Sequence, residues 1–379
     1  MKVLFLAVAT GGGHLKAAKA LSEYIQTRDF KSETLIIDTL KYANPLIDKL
    51  IVKTYINTLK TTPKIYGKLY NITDEKELLG DNINDFSNSV NRLFSFKVKK
   101  LIQEFKPDII VCTHPFSLQM VLAIKKKIKI NVPIVDIITD YAIHNLGIRN
   151  GVDAYVIPHE FLINDAISRG ISRDKLFSLG IPVENKFLST TNKSGILQKF
   201  GLVDTLTFLV MGGSLGFGEI EDIFIKLLKC DRPIQIVVVT GTNKKLKAHL
   251  EKQTKHLYGN KNIVILSYVN EVNELMEVSD FIITKPGGLT ISESLIKSLP
   301  IAIISPIPGQ EERNANFLIN CGVAARITEH DNINSFLNQV VDNTMRVSSM
   351  KQIAKTLAKP NACHDIYKLM CKLINNTKN

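Results

Sequence analysis

The sequence predicts an α/β chain of two doubly wound domains, each a parallel sheet flanked by helices, with a cleft between them. Short apolar runs alternate with helical stretches along most of the chain. The order strand, glycine loop, helix occurs twice, at residues 3–25 and again at residues 207–228. A polar stretch at residues 184–194 separates the two arrays. At 379 residues the chain is long enough for two cores of ordinary size.

Composition narrows the function classes. The chain is 45% hydrophobic and 22% charged, as in globular proteins. No apolar run approaches the roughly 18 residues of a membrane span. Residues 1–9 are short for a signal peptide and run straight into glycines, so a cytoplasmic location is expected. Cys112, Cys230, Cys321, Cys363 and Cys371 are scattered without a C-x-x-C pair, which predicts reduced thiols and neither a zinc site nor a disulfide framework. The net charge of +12 favours an anionic partner: nucleotide, nucleic acid or anionic lipid. No nucleic-acid motif is present and only 7% of residues are aromatic, so no nucleic-acid partner is expected.

The first domain is predicted over residues 1–185. Residues 3–9 read as a buried strand, followed by Thr10-Gly11-Gly12-Gly13-His14 and a helix to about residue 25 with Leu15, Ala18 and Leu21 on one face. This loop lacks both the G-x-G-x-x-G spacing and the P-loop Lys-Ser/Thr. Further strands are predicted at 35–38, 108–113, 133–139, 152–157 and 176–179. The strand at 133–139 ends in Thr139-Asp140-Tyr141, with polar residues where open α/β sheets place their sites, while His114 and His144 read as structural histidines outside the catalytic set. Residues 41–70 read as a basic amphipathic stretch, with Ile47, Leu50, Ile51, Tyr55 and Leu59 on one side and Lys49, Lys53 and Lys60 on another. It suits either an anionic bilayer surface or a core-packed helix with a solvated lysine face.

The second domain is predicted over residues 195–355, with strands at 207–211, 235–239, 263–266, 281–283 and 301–304. Its organising stretch is Lys285-Pro286-Gly287-Gly288-Leu289-Thr290, where a strand ends and a helix opens at Gly288. Such a terminus offers backbone N–H groups and the positive end of the helix dipole to a phosphate. Glu293, further into that helix, suits a ribose. A second strand-to-helix junction carries Gln310, Glu311 and Asn314, whose amide and carboxylate groups suit sugar hydroxyls. No Asp-x-Asp occurs, so no metal–diphosphate clamp is expected. Residues 360–379 have helical spacing at Ile366, Leu369, Met370 and Leu373, and are predicted to pack back on the first domain.

In order along the chain, residues 8–18 (VATGGGHLKAA), Thr139-Asp140-Tyr141 with His144, Gly180-Ile181-Pro182-Val183, 211–218 (MGGSLGFG), 284–293 (TKPGGLTISE) and 306–314 (PIPGQEERN) resemble the monogalactosyldiacylglycerol synthase and processive diacylglycerol glucosyltransferase family. The enzyme that adds N-acetylglucosamine to lipid I is a more distant relative of that family. The resemblance implies a GT-B fold of two Rossmann-like domains. It also implies inverting, metal-independent transfer of a hexose from UDP-glucose or UDP-galactose to diacylglycerol, with no cofactor. It implies that His14 is the general base, with Asp140 on the acceptor side as the second catalytic residue. Ser214, Gly216, Gly287, Gly288 and Leu289 would hold the donor diphosphate, Gly13 and Thr290 would also bind the donor, Val269 would contact uracil, Glu293 ribose, and Gln310, Glu311 and Asn314 the sugar. Lys49, Lys53 and Lys60 would face an anionic membrane from the cytoplasmic side. A prenyl-linked acceptor, a GT-B epimerase acting on a free UDP-sugar and a non-catalytic UDP-sugar sensor are the competing readings.

Overall fold

A computed structural model describes residues 1–9, 12–45, 67, 68, 70, 74, 96–128, 131–190, 192–213, 216, 219–254 and 261–378. The chain divides into two compact units. One comprises Met1–Asn185, Ile307–Gln310 and Lys359–Asn379; the other comprises Lys186–Pro306 and Glu311–Ala358. Six helices matter below: α1 (Gly13–Arg28), α2 (Pro115–Ile128), α3 (Ile220–Leu228), α4 (Gly288–Ile296), α5 (Gln310–Asn320) and α6 (Ala362–Lys378).

The first unit contains strands β1 (Lys2–Ala7), β2 (Glu33–Asp38), β3 (Ile109–Cys112), β4 (Ile134–Ile137), β5 (Ala154–Val156) and β6 (Leu176–Phe177). They form one parallel sheet in the order β2-β1-β3-β4-β5-β6. Its central strands are buried on both faces, so each reads in sequence as a continuous apolar run instead of an alternating one. Helix α1 lays Ala18, Leu21 and Ile25 on the sheet, against Val3, Phe5, Val111 and Val135. Helix α6 adds Ile366, Leu369, Met370 and Ile374 to the same core, so the last helix packs back on the first domain as the sequence predicts.

The second unit contains β7 (Thr207–Met211), β8 (Gln235–Val239), β9 (Asn262–Leu266), β10 (Phe281–Thr284), β11 (Ile301–Ile303) and β12 (Ala324–Arg326). These too are all parallel, in the order β12-β11-β10-β7-β8-β9. Phe208 and Phe281 stack with ring centroids 5.9 Å apart beneath Ile223, Phe224 and Leu227 of α3. Strand β12 is an addition to the sequence reading. Its three residues, Ala-Ala-Arg, lack the β-branched and aromatic side chains that mark a strand, and it forms by pairing Ala324 with Ile301 at the sheet edge.

Several strands stop short of their predicted ends. Residues 8 and 9 lie beyond the last strand residue, Ala7, and on β4 Ile138 N still donates to Val156 O at 2.9 Å before Thr139 turns into the site loop. Most of the basic stretch at 41–70, including Lys49, Lys53 and Lys60, lies outside the described residues. Among the described residues, no helix is long and apolar enough to cross a membrane.

Candidate functional site

Open parallel sheets place their sites at the carboxyl ends of strands, where the strand order reverses. In the first unit that point lies between β1 and β3. These neighbours pair in register from Val3 with Ile109 to Leu6 with Cys112, and the connections after them leave on opposite sides. The loops following β1, β3 and β4 carry His14, Thr113-His114 and Thr139-Asp140.

Glycine makes the first turn possible. Gly12 caps α1 with φ of 78°, a conformation that a side chain disfavours, and its N–H bonds to Ala9 O at 3.2 Å. Gly13 opens the helix and His14 is its second residue. His14 Nδ1 lies 2.6 Å from the carbonyl oxygen of Thr113 and 2.8 Å from Thr139 Oγ1. A carbonyl oxygen only accepts, so Nδ1 carries the ring hydrogen and Nε2 keeps its lone pair. In return, Thr113 Oγ1 donates to His14 O at 3.2 Å. Both threonines are buried, which holds the imidazole in one orientation.

The charge state follows from the same surroundings. Burial lowers the His14 pKa below its usual 6.5, while the Asp140 charge and the Thr113 hydrogen bond act in the opposite direction. Asp140 therefore acts on the imidazole through its field, and the threonines set the ring's direction. The Asp140 carboxylate also accepts from Gln310 Nε2, a residue of the same compact unit. Beside His14 stands His114, ring edge to face, with centroids 4.8 Å apart and planes at 83°. Its Nδ1 accepts from Phe116 N at 3.1 Å. Burial and the neighbouring His14 push its pKa well down. His144 serves the backbone: its Nδ1 accepts from Leu146 N at 3.0 Å and its Nε2 lies 3.3 Å from Tyr70 O.

In the second unit the strand order reverses between β7 and β10. Their register sets Met211 beside Thr284, so the loops that follow start side by side. One contains Gly213 and Gly216. Gly216 has φ of +61°, and a Cβ there would lie 2.1 Å from Thr240 O, so no other residue fits. Ser214, of the same loop, lies outside the described residues.

The other loop is Pro286-Gly287 and the start of α4. Gly287 is the N-cap, and the first bond of the helical ladder runs from Ile291 N to Gly287 O at 2.9 Å. The amides of Gly288, Leu289 and Thr290 thus precede the ladder, at the positive end of the helix, in the arrangement that receives an anion. Glu293 is buried in the same helix. Helix α5 opens with Gln310 and Glu311, and Glu311 Oε2 lies 3.6 Å from Lys285 Nζ. Asn314 is fully buried and donates from Nδ2 to Pro286 O at 3.0 Å, which ties α5 to the glycine loop. Val269 follows the exposed Tyr268 just beyond β9.

The structure thus gathers Gly13, His14 and Asp140 in one unit. In the other it gathers Gly287, Gly288, Leu289, Thr290, Glu311 and Asn314 around one loop. Thr113 and Thr139 complete the histidine site without having been named among the site residues. Thr113 carries no sequence signal beyond a hydroxyl at the carboxyl end of a strand, and Thr139 only its place beside Asp140 in a short motif.

A family model for monogalactosyldiacylglycerol (MGDG) synthase matches residues 14–183, and one for the glycosyltransferase family 28 C-terminal domain matches residues 207–369. The chain is a glycosyltransferase that matches the MGDG synthase model over its first part and the family 28 model over its second. It is an enzyme that acts on a lipid acceptor. It is 28% identical over 359 residues to a processive diacylglycerol beta-glucosyltransferase of Bacillus pumilus, covering 94% of this chain and 91% of that one. A protein of the same name from Staphylococcus haemolyticus is 29% identical over 377 residues, covering 99% and 92%. Among solved structures, MurG of Acinetobacter baumannii superimposes with a TM-score of 0.65 at 16% identity, covering 98% of this chain and 99% of that one. A UDP-GlcNAc 2-epimerase from Neisseria meningitidis does so with a TM-score of 0.62 at 16% identity, covering 98% and 100%. The chain therefore has the GT-B fold that its motifs imply.

Proposed function

We propose that this glycosyltransferase moves a hexose, glucose or galactose, from its UDP-sugar to the hydroxyl of diacylglycerol, with inversion and without a metal. The observation that carries the proposal is the fixed His14 ring, whose Nδ1–H is held by Thr113 O at 2.6 Å and whose Nε2 is left as a base. In the reaction, His14 Nε2 takes the hydroxyl proton as the acceptor oxygen bonds to the anomeric carbon. The bond from that carbon to the diphosphate breaks, and its electron pair leaves with UDP. The amides at the start of α4 stabilise the charge that builds on the diphosphate. Gly216 and Ser214 contribute to the same grip, Gly13 binds the donor, Val269 meets uracil, Glu293 binds ribose, and Gln310, Glu311 and Asn314 select the hexose. Lys49, Lys53 and Lys60 face the anionic inner surface of the cell membrane, which brings the lipid acceptor to the enzyme. The diacylglycerol acceptor is supported by the names of the relatives from Bacillus pumilus and Staphylococcus haemolyticus.

The test supplies purified enzyme, vesicles containing diacylglycerol, and either UDP-glucose or UDP-galactose, with a chelator present. Release of UDP and a β-linked glycolipid is the expected result. No product from either donor, an α-linked product, or loss of turnover in the chelator would overturn the corresponding part of the proposal. Product from a prenyl-linked acceptor alone would replace diacylglycerol. In vesicle flotation, neutralising Lys49, Lys53 and Lys60 together weakens binding to anionic vesicles at low salt. Equal binding of the wild-type enzyme to neutral and anionic vesicles would remove the membrane role.

A further inference from the structure

We infer that His14 and His114 act on one acceptor hydroxyl as a complementary pair: His14 Nε2 receives its proton, and the Nε2–H of His114 donates a hydrogen bond to its oxygen. This deepens the proposed transfer and rests on His14 as its base.

The main chain sets both rings. Thr113 O, 2.6 Å from His14 Nδ1, can only accept, so the hydrogen of that ring is on Nδ1. Phe116 N, 3.1 Å from His114 Nδ1, can only donate, so the hydrogen of that ring is on Nε2. The two imidazoles are therefore opposite tautomers, and their Nε2 atoms are one acceptor and one donor. They sit on the connections leaving two adjacent strands, with ring centroids 4.8 Å apart. Burial favours the neutral form of each, which preserves the lone pair on one and the single donor on the other.

The chemistry needs such a pair. An alcohol has one hydrogen and two lone pairs. When one lone pair attacks the anomeric carbon, the hydrogen must go to a base, and a donor on the other lone pair aims the attack. His114 keeps its own proton throughout. Its structural duty, capping α2 ahead of Pro115, uses Nδ1 alone and does not account for Nε2–H.

Two substitutions separate the duties. His114→Asn keeps an oxygen that can cap Phe116 N but removes the donor at the reach of Nε2. His114→Gln keeps an N–H at that reach and drops the cap. The expected result for His114→Asn is a rise in acceptor KM and a loss of about tenfold or more in kcat/KM, the scale of one lost hydrogen bond, with the donor KM unchanged. His114→Gln is expected to recover most of that loss. Imidazole ¹⁵N NMR of the labelled full-length enzyme reads the tautomers directly, with the hydrogen on Nδ1 of His14 and on Nε2 of His114. A hydrogen on His14 Nε2, wild-type kinetics in His114→Asn, or equal losses in both variants would overturn the inference. Transfer at the wild-type rate in His14→Ala would instead remove the base itself, whatever the tautomers.

Discussion

His14 titrates in a surrounding that pulls it two ways, and the pH profile should show both. Burial lowers its pKa from 6.5 and the Asp140 charge raises it. Only the neutral ring is a base, so kcat/KM should fall on the acid side with a midpoint below 6.5. Asp140→Asn removes the raising influence, so that midpoint should move to lower pH. A shift upward would show that Asp140 acts otherwise. His14→Ala should lower kcat/KM by roughly 10²–10⁴-fold while UDP binding, followed by calorimetry, persists. At this scale the sequence singled out His14 and the glycines of the two loops, because each sits in a short local motif. It did not show Thr113 and Thr139, which meet His14 from 99 and 125 residues away. Spacing along a chain carries no trace of such contacts.

Loops and strands supply the next tests. Gly216 combines φ of +61° with a main-chain oxygen 2.1 Å from any added Cβ, so Gly216→Ala must displace the loop after β7. The conformational cost alone is roughly 1–3 kcal/mol, and UDP binding should weaken along with thermal stability. Unchanged UDP affinity would separate this loop from the donor site. On β4, Asp136 lies between Cys112 of β3 and Tyr155 of β5, and burial raises its pKa from 3.8 to about 8. The folded state therefore holds a proton that the unfolded chain has released, and stability declines as pH climbs through that window. Asp136→Asn cannot ionise, so its melting temperature should fall less than the wild type's between about pH 5 and about pH 8.5. A parallel decline would contradict this. Strands buried on both faces were legible as apolar runs, whereas β12, with Ala324 and Ala325, owes its form to its neighbour β11.

Across the whole molecule, each unit has its own apolar core, and the restart of the strand–loop–helix pattern at residue 207 made that division readable. The core of the first unit draws Met370 from α6, fully buried. Met370→Ala should cost about 2–5 kcal/mol there. Calorimetry should show the melting of the first unit shifted down and that of the second in place. Equal shifts in both would mean that the cores melt as one. The position of α6 also has a consequence during synthesis. Residues 186–358 must leave the ribosome before the helix that covers the first sheet can exist, a wait of roughly 10–30 s at ordinary elongation rates. Through that interval the core of the first unit lacks Ile366, Leu369, Met370 and Ile374, and its apolar surface stays unfinished until translation supplies them.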